Sequence, residues 1–216
     1  FGNTSNVVIT KWANGSTTII NLPASGSPGW GNLTINVATL AASWNQSGSL
    51  TNVQGNLNII ATGGSVIGVP NEFRLTGGTA TTLNILGNLN ISGGGFVGNT
   101  GSASPLINIT GDLNLTGGYF IPCNNSSTTC TVNITGNCTL NGGHIVGAGS
   151  SRTYVMSMAT LTVTGNSVFG LSTSSSSSLT ITTGSISISG SATMYSSSSG
   201  NIIINCTGNF SSTSTG

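Results

Sequence analysis

Residues 87–94 read Gly-Asn-Leu-Asn-Ile-Ser-Gly-Gly, and residues 111–118 read Gly-Asp-Leu-Asn-Leu-Thr-Gly-Gly. The same phrase returns at Gly55-Asn-Leu-Asn-Ile and Gly136-Asn-Cys-Thr-Leu, and its first half at Gly31-Asn-Leu-Thr-Ile. Weaker copies start at Gly2, Gly165, Gly184 and Gly208. Successive marks lie 29, 24, 32, 24, 25, 29, 19 and 24 residues apart, so the recurring step is 24. A fixed period of this size is the signature of a repeat architecture.

Each mark is flanked by two short alternating segments. Two and four residues after the glycine stand Leu57 and Ile59, Leu89 and Ile91, Leu113 and Leu115, Cys138 and Leu140. Two and four residues before it stand Ile85 and Leu83, Ile109 and Ile107, Ile134 and Val132, Val163 and Leu161. The positions between are Asn, Thr or Ser. Alternation with period two describes a strand with one buried face. After the Gly-Gly pair a third apolar patch follows, as at Phe96-Val97, Tyr119-Phe120-Ile121 and Ile145-Val146. No window has helical periodicity, and glycine and β-branched residues at this density oppose helix.

The expected fold is therefore all-β: a parallel β-solenoid with about 24 residues per coil, each coil stacked about 4.8 Å from the next. Nine marks at that rise make a rod on the order of 40 Å long. The alternative is a β-sandwich, pilin-like subunit with a donated N-terminal strand, in which recurring slots would be coincidental. The chain is expected to form a single domain, 1–216. Within it lie an irregular N-terminal cap or assembly segment (1–30), regular coils (31–164) and irregular Ser/Thr-rich coils (165–216).

Stacking assigns roles to the punctuation. The corner glycine is expected to supply positive φ. Asn32, Asn56, Asn88, Asp112 and Asn137 beside it are expected to form a corner ladder, of the kind amides make in cross-β assemblies. Asn3, Asn166 and Asn209 would extend that ladder. A second ladder is expected three residues before the mark, at Asn52, Asn84, Asn108, Asn133 and Asn205.

Composition fits this reading. Ser, Gly, Thr and Asn make up 125 of 216 residues, and the charged residues are Lys11, Arg74, Arg152, Glu72 and Asp112 alone. A charge at a repeated position would face its own copy in the next coil and be repelled, whereas amides and hydroxyls stack without penalty. The same deficit excludes function classes. Three basic residues cannot neutralise a nucleic-acid backbone, and two acids leave no spare pair for carboxylate-driven hydrolysis. No cofactor and no metal is expected, with one His and four Cys. No apolar run reaches the roughly 18 residues of a membrane span. Triad chemistry would have to draw on His144 and Asp112 without a nucleophile motif around them, so the chain is not expected to be an enzyme.

Other residues carry finer expectations. Cys123 and Cys130 bound one loop, Cys-Asn-Asn-Ser-Ser-Thr-Thr-Cys, and are expected to form a disulfide. Cys138 and Cys206 occupy slots that hold Leu or Ile elsewhere. They are expected to be buried thiols, lying too many coils apart to bond. Of 13 Asn-X-Ser/Thr sites, Asn14, Asn45, Asn124 and Asn125 fall in expected loops, and Asn90, Asn108, Asn114 and Asn133 point outward from strands. These are the candidate N-glycan acceptors, subject to the host. Glu72 and Arg74 share a strand face as a surface pair. Trp12, Trp30 and Trp44 either cap the first coils or meet a neighbouring subunit or a sugar. Val7, Val8, Ile9 and Trp12 form a possible assembly segment.

The units at Gly55–Gly64, Gly87–Gly94, Gly111–Gly118 and Gly136–Gly143 resemble the repeat regions of large secreted microbial surface proteins of the adhesin or filamentous-haemagglutinin type. The resemblance covers residues 31–164. It implies a right-handed parallel β-solenoid, exported, working as a stalk, adhesin or fibre, and it transfers no catalytic residues. The expected function is a structural subunit of an extracellular filament or surface fibre. Such a subunit would partner copies of itself head to tail and carry covalent glycans where they are added. The alternatives are a stalk or adhesin segment of a larger surface protein and an ice-binding solenoid presenting Thr and Ser rows. With so few groups to titrate, an assembly is expected to survive wide changes of pH.

Overall fold

A computed structural model describes residues 4–11, 22, 30–38, 40, 42–63, 71–124, 128–147, 151–171, 177–196 and 200–216. Trp12, Asn14 and Asn125, as well as Gly2 and Asn3, lie outside the described residues. The described chain has no helix, and its parallel strands stack as a β-solenoid of about seven turns with roughly 24 residues between equivalent positions. Every strand pairing is parallel, which removes the sandwich alternative.

The strands, numbered in chain order, fall into three rows. One row precedes the Gly-Asn corner: β4 (Asn52–Val53), β7 (Thr82–Ile85), β10 (Leu106–Ile109), β13 (Thr129–Ile134) and β20 (Asn201–Cys206). A second follows it: β1 (Asn6–Ile9), β2 (Asn32–Asn36), β5 (Leu57–Ala61), β8 (Leu89–Ile91), β11 (Leu113–Leu115), β14 (Cys138–Asn141) and β21 (Phe210–Ser214). Two long strands, β16 (Thr153–Thr164) and β18 (Ser178–Gly190), run through both rows and join them into one sheet. The third row is a separate sheet: β3 (Trp44–Asn45), β6 (Phe73–Thr76), β9 (Gly95–Asn99), β12 (Tyr119–Ile121), β15 (His144–Gly147), β17 (Val168–Leu171) and β19 (Thr193–Tyr195).

The core lies between the two sheets. The slots two and four residues after the corner are fully buried from Leu33 and Ile35 through Leu161 and Val163. From the second sheet comes a column of rings. Trp44 meets Phe73 edge-on at 5.2 Å, Phe73 meets Phe96 at 5.9 Å, and Phe96 stacks on Phe120 at 5.4 Å. Ile145, Phe169 and Met194 continue it by register. Trp30 and Trp44 are both buried and belong to the core of the first coils.

Two sequence marks shift. Gly165 is not a Gly-Asn corner. Leu161 pairs with Cys138 and Val163 with Leu140, so this segment follows the corner instead of preceding it. The corner glycine slot is filled by Ala159, whose N–H donates to Gly136 O at 2.8 Å. The first coil likewise turns at Ser5-Asn6, because Asn6 pairs with Asn32. The odd steps of 29 and 19 residues then vanish: the Asn137–Thr160 contact spans 23 residues, and Thr160 pairs with Ser185, 25 further on. The remaining long step is 32 residues, from Asn56 to Asn88.

The glycines also divide differently. Positive φ occurs at the second corner, at Gly63, Gly94, Gly118 and Gly142, and not at Gly55, Gly87, Gly111 or Gly136. The first corner needs glycine for room: a Cβ on Gly55 would overlap Asn32 Oδ1, and one on Gly111 would overlap Asn88 Oδ1.

Candidate functional site

Three polar columns run along the stack, and their chemistries differ. In the corner column the side-chain oxygen of one coil accepts the backbone N–H of the next coil's corner residue. Asn32 Oδ1 accepts from Asn56 at 2.7 Å, Asn56 from Asn88, Asn88 from Asp112 and Asp112 from Asn137, the last three at 2.8 Å. Only an acceptor is required, which is why Asp112 fits among asparagines. The oxygen occupies the place of the next coil's glycine Cβ, so Asn in one coil and Gly in the next form one unit. Where Ala159 supplies a Cβ, Asn137 Oδ1 instead takes the Thr160 hydroxyl at 2.7 Å. Asn166 stands apart from this column, since Gly165 belongs to the second corner.

The column three residues before the corner is amide to amide. Asn84 Nδ2 donates to Asn52 at 3.1 Å, Asn108 to Asn84 at 2.9 Å and Asn133 to Asn108 at 3.0 Å; the Ser157 hydroxyl then donates to Asn133 at 3.1 Å. Asn205 lies in the same column beside Thr182. Each member both donates and accepts, so an amide or hydroxyl fits and a carboxylate does not. A third ladder, three residues after the corner, was missed in the sequence. It links Asn58 to Thr34 at 3.1 Å, Asn90 to Asn58 at 2.8 Å and Asn114 to Asn90 at 3.0 Å. The signal was present, since Asn recurs in that slot of three successive copies.

This places the glycan candidates. Asn90, Asn108 and Asn114 are half-buried and Asn133 is exposed, and the amide nitrogen of each donates along a ladder. Asn45 lies in β3 and not in a loop; it is half-buried, and its oxygen accepts Ser47 N–H at 2.8 Å. Asn124 is exposed in the loop after β12.

Cys123 and Cys130 are disulfide-bonded, with Cα atoms 6.2 Å apart, and both are buried. The Tyr154 hydroxyl donates to Cys123 O at 3.2 Å. Cys138 and Cys206 are free. Burial pushes the Cys138 thiol well up, out of reach of thiolate chemistry at neutral pH. Cys206, expected to be buried, is half-buried because its coil is the last in the stack.

The Glu72–Arg74 pair is not a surface pair. Glu72 is 3% exposed, and Arg74 Nε meets its carboxylate at 2.7 Å. The Ser43 and Tyr119 hydroxyls each donate to the same carboxylate at 3.3 Å. Tyr119 reaches it across Gly95, where a Cβ would overlap the ring. Burial first, then the negative charge of Glu72, hold the Tyr119 phenol well above its ordinary pKa. The cluster ties three coils together, and its groups satisfy one another. His144 lies beside Tyr119 and Val168 in the second sheet, and burial lowers its pKa. Among the described residues no three His, Cys, Asp or Glu side chains gather, and no helix is long and apolar enough to cross a membrane.

The ends of the stack differ from its middle. Phe210 occupies the slot in which Leu57, Leu89 and Leu113 are fully buried, yet it is 55% exposed. Ile204, in the slot of the buried Ile181, is 37% exposed. Strands β20 and β21 each have one edge without a strand partner among the described residues, as does β1 at the other end. The N-terminal segment Val7–Ile9 lies on its own β2, with Val7 and Ile9 half-buried and Val8 57% exposed. No protein-family model, curated protein or solved structure matches the chain.

Proposed function

We propose that this chain is a non-enzymatic structural subunit of an extracellular microbial filament or surface fibre, joined head to tail to copies of itself through its terminal coils. The observation that carries this reading is the last coil. Its Phe210 and Ile204 occupy core slots but face solvent, beside the unpaired edges of β20 and β21. An exposed strand edge with apolar side chains is a template for another strand, and a heterologous contact that does not close gives a fibre. Self-stacking columns support the reading, since they continue through a joint without new chemistry. The Cys123–Cys130 disulfide suits an oxidising, extracellular compartment, and exposed Asn124 suits a glycan.

Electron microscopy of the purified protein tests this. Long uniform fibres are expected, with a width independent of concentration. A chain that stays monomeric at high concentration overturns the reading and leaves the stalk of a larger surface protein, whose open coil is covered by further coils. The ice-binding reading is the weaker one. The outward row after the corner runs Thr34, Asn58, Asn90, Asn114 before it becomes Thr and Ser, and its amides bond one another.

A further inference from the structure

The fibre reading leaves open which strand meets which, and in what register. This inference rests on that reading and concerns the joint alone. The stack is polar. At each regular corner the later coil donates and the earlier accepts: Gly87 N–H to Gly55 O, Gly111 to Gly87 and Gly136 to Gly111, at 3.0, 3.0 and 3.1 Å. The corner and amide columns run the same way. The strands on either side exchange bonds both ways, as in Leu57 N–H to Asn88 O at 2.9 Å, but along the corner and amide columns an oxygen always faces the following coil, so the two ends are unlike and match head to tail.

The apolar slots match too. Phe210 and Val7 occupy the same slot of the last and first coils, since Phe210 pairs with Ile186 and Val7 with Leu33. Both lie in the row where every described intermediate coil buries its residue. Asn209, just ahead of β21, and Asn6, at the start of β1, likewise stand in the corner column. Ser5 stands where the regular coils have glycine, so the Asn209 oxygen has no vacant Cβ site to enter. Asn137 meets the same situation at Ala159 and bonds a side chain instead. Asn6 has such a group in its Nδ2; the equivalent nitrogen of Asn32 already donates to Asn6 Oδ1 at 2.7 Å.

We infer that β1 of one copy adds in parallel to the free edge of β21 of the copy before it, with Asn6 on Asn209, Val7 covering Phe210, Val8 on Ser211 and Ile9 on Ser212. The Asn6 amide nitrogen donates to Asn209 Oδ1. The corner column thus continues across the joint.

Cross-linking tests the register. Val8 and Ser211 are both exposed and outward, so Val8→Cys with Ser211→Cys leaves the core intact, and a Cys206→Ala background removes the half-buried thiol. Paired residues on adjacent strands lie within disulfide reach, about 4.4–6.8 Å between Cα atoms. Oxidation should link this variant into covalent multimers on non-reducing gels, with about tenfold more product than Val8→Cys with Thr213→Cys, two residues out of register. Equal linking of the two variants, or fibres with no cross-link, overturns the register and leaves the fibre reading standing. Particles that remain monomeric by imaging overturn both. In a second measurement Phe210→Lys, exposed in the single copy, should keep its melting temperature and raise the threshold concentration for assembly about tenfold or more. An unchanged threshold overturns the proposal.

Discussion

The coils between Gly55 and Asn141 and those between Thr153 and Gly190 turn the same corner by different means. In the first group glycine leaves a gap, the amide oxygen of the preceding coil fills it, and the chain breaks into two short strands. In the second group no amide oxygen enters the slot: Ala159 fills it in one coil and turns the Asn137 oxygen to the Thr160 hydroxyl, Gly184 in the next coil faces the Ala159 carbonyl, and strands of 12 and 13 residues run through the corner. Both versions stack in the same register. The corner is thus a property of two adjacent coils, and neither residue of the Gly-Asn pair acts within its own coil alone.

The largest expected effect would come from closing a regular corner. In Gly111→Ala the new Cβ meets both Asn88 Oδ1 and the Gly87 carbonyl, the latter only 2.8 Å away, and the backbone cannot step aside. A loss of about 2–3 kcal/mol in chemical denaturation is expected, as for overpacking. In Gly55→Ala the backbone is 3.3 Å away and only the Asn32 amide is in the way. About 1–2 kcal/mol should be lost, and adding Asn32→Ala should recover part of it, giving a coupling near 1 kcal/mol. Additive single losses would show that the pair is not a unit.

A smaller contrast separates the columns. Asn108 must donate to Asn84 and accept from Asn133, so Asn108→Asp should cost about 1–2 kcal/mol at pH 7. The Asn56 side chain only accepts within the corner column, so Asn56→Asp should cost less than about 0.5 kcal/mol, as Asp112 already indicates. Equal losses at the two sites would erase the distinction.

The smallest effect concerns pH. Burial lowers the His144 pKa below its value of 6.5 in the unfolded chain. The unfolded state then binds more protons, so the His144 contribution is complete above pH 6.5 and is lost as pH falls toward the folded value. Thermal melts from pH 8 to 5 should show a slight decline that His144→Thr removes. A decline that persists in the variant assigns it to another group.

Much was legible because a stacked repeat writes its contacts into one dimension. Leu89, Leu113 and their equivalents gave the buried face, and the recurrence of Asn84, Asn108 and Asn133 announced a ladder before any strand was placed. The loop Cys123–Cys130 was legible from its closeness in sequence. What escaped was whatever broke the phrase. Ala159 and Thr160 lack the Gly-Asn mark, so Gly165-Asn166 drew the corner one strand too far, although the alternation of Tyr154, Met156 and Met158 resumes at Leu161 and Val163 one residue out of phase, which marks the corner between them. Phe73 was hidden as a member of the aromatic column by the long step before it. The burial of Glu72 was not legible, because its partners Ser43 and Tyr119 come from other coils, 29 and 47 residues away.

Composition and period were enough to establish an all-β parallel stack, its coil length and its preference for side chains that pair with their own copies. Those features depend on local alternation and on a step that recurs along the chain. The role of each glycine, the split between acceptor-only and donor–acceptor columns, and the open slots at Phe210 and Ile204 depend on which atoms of neighbouring coils meet. Those meetings are made across 23 to 32 residues of chain, and they exist only once the coils are stacked.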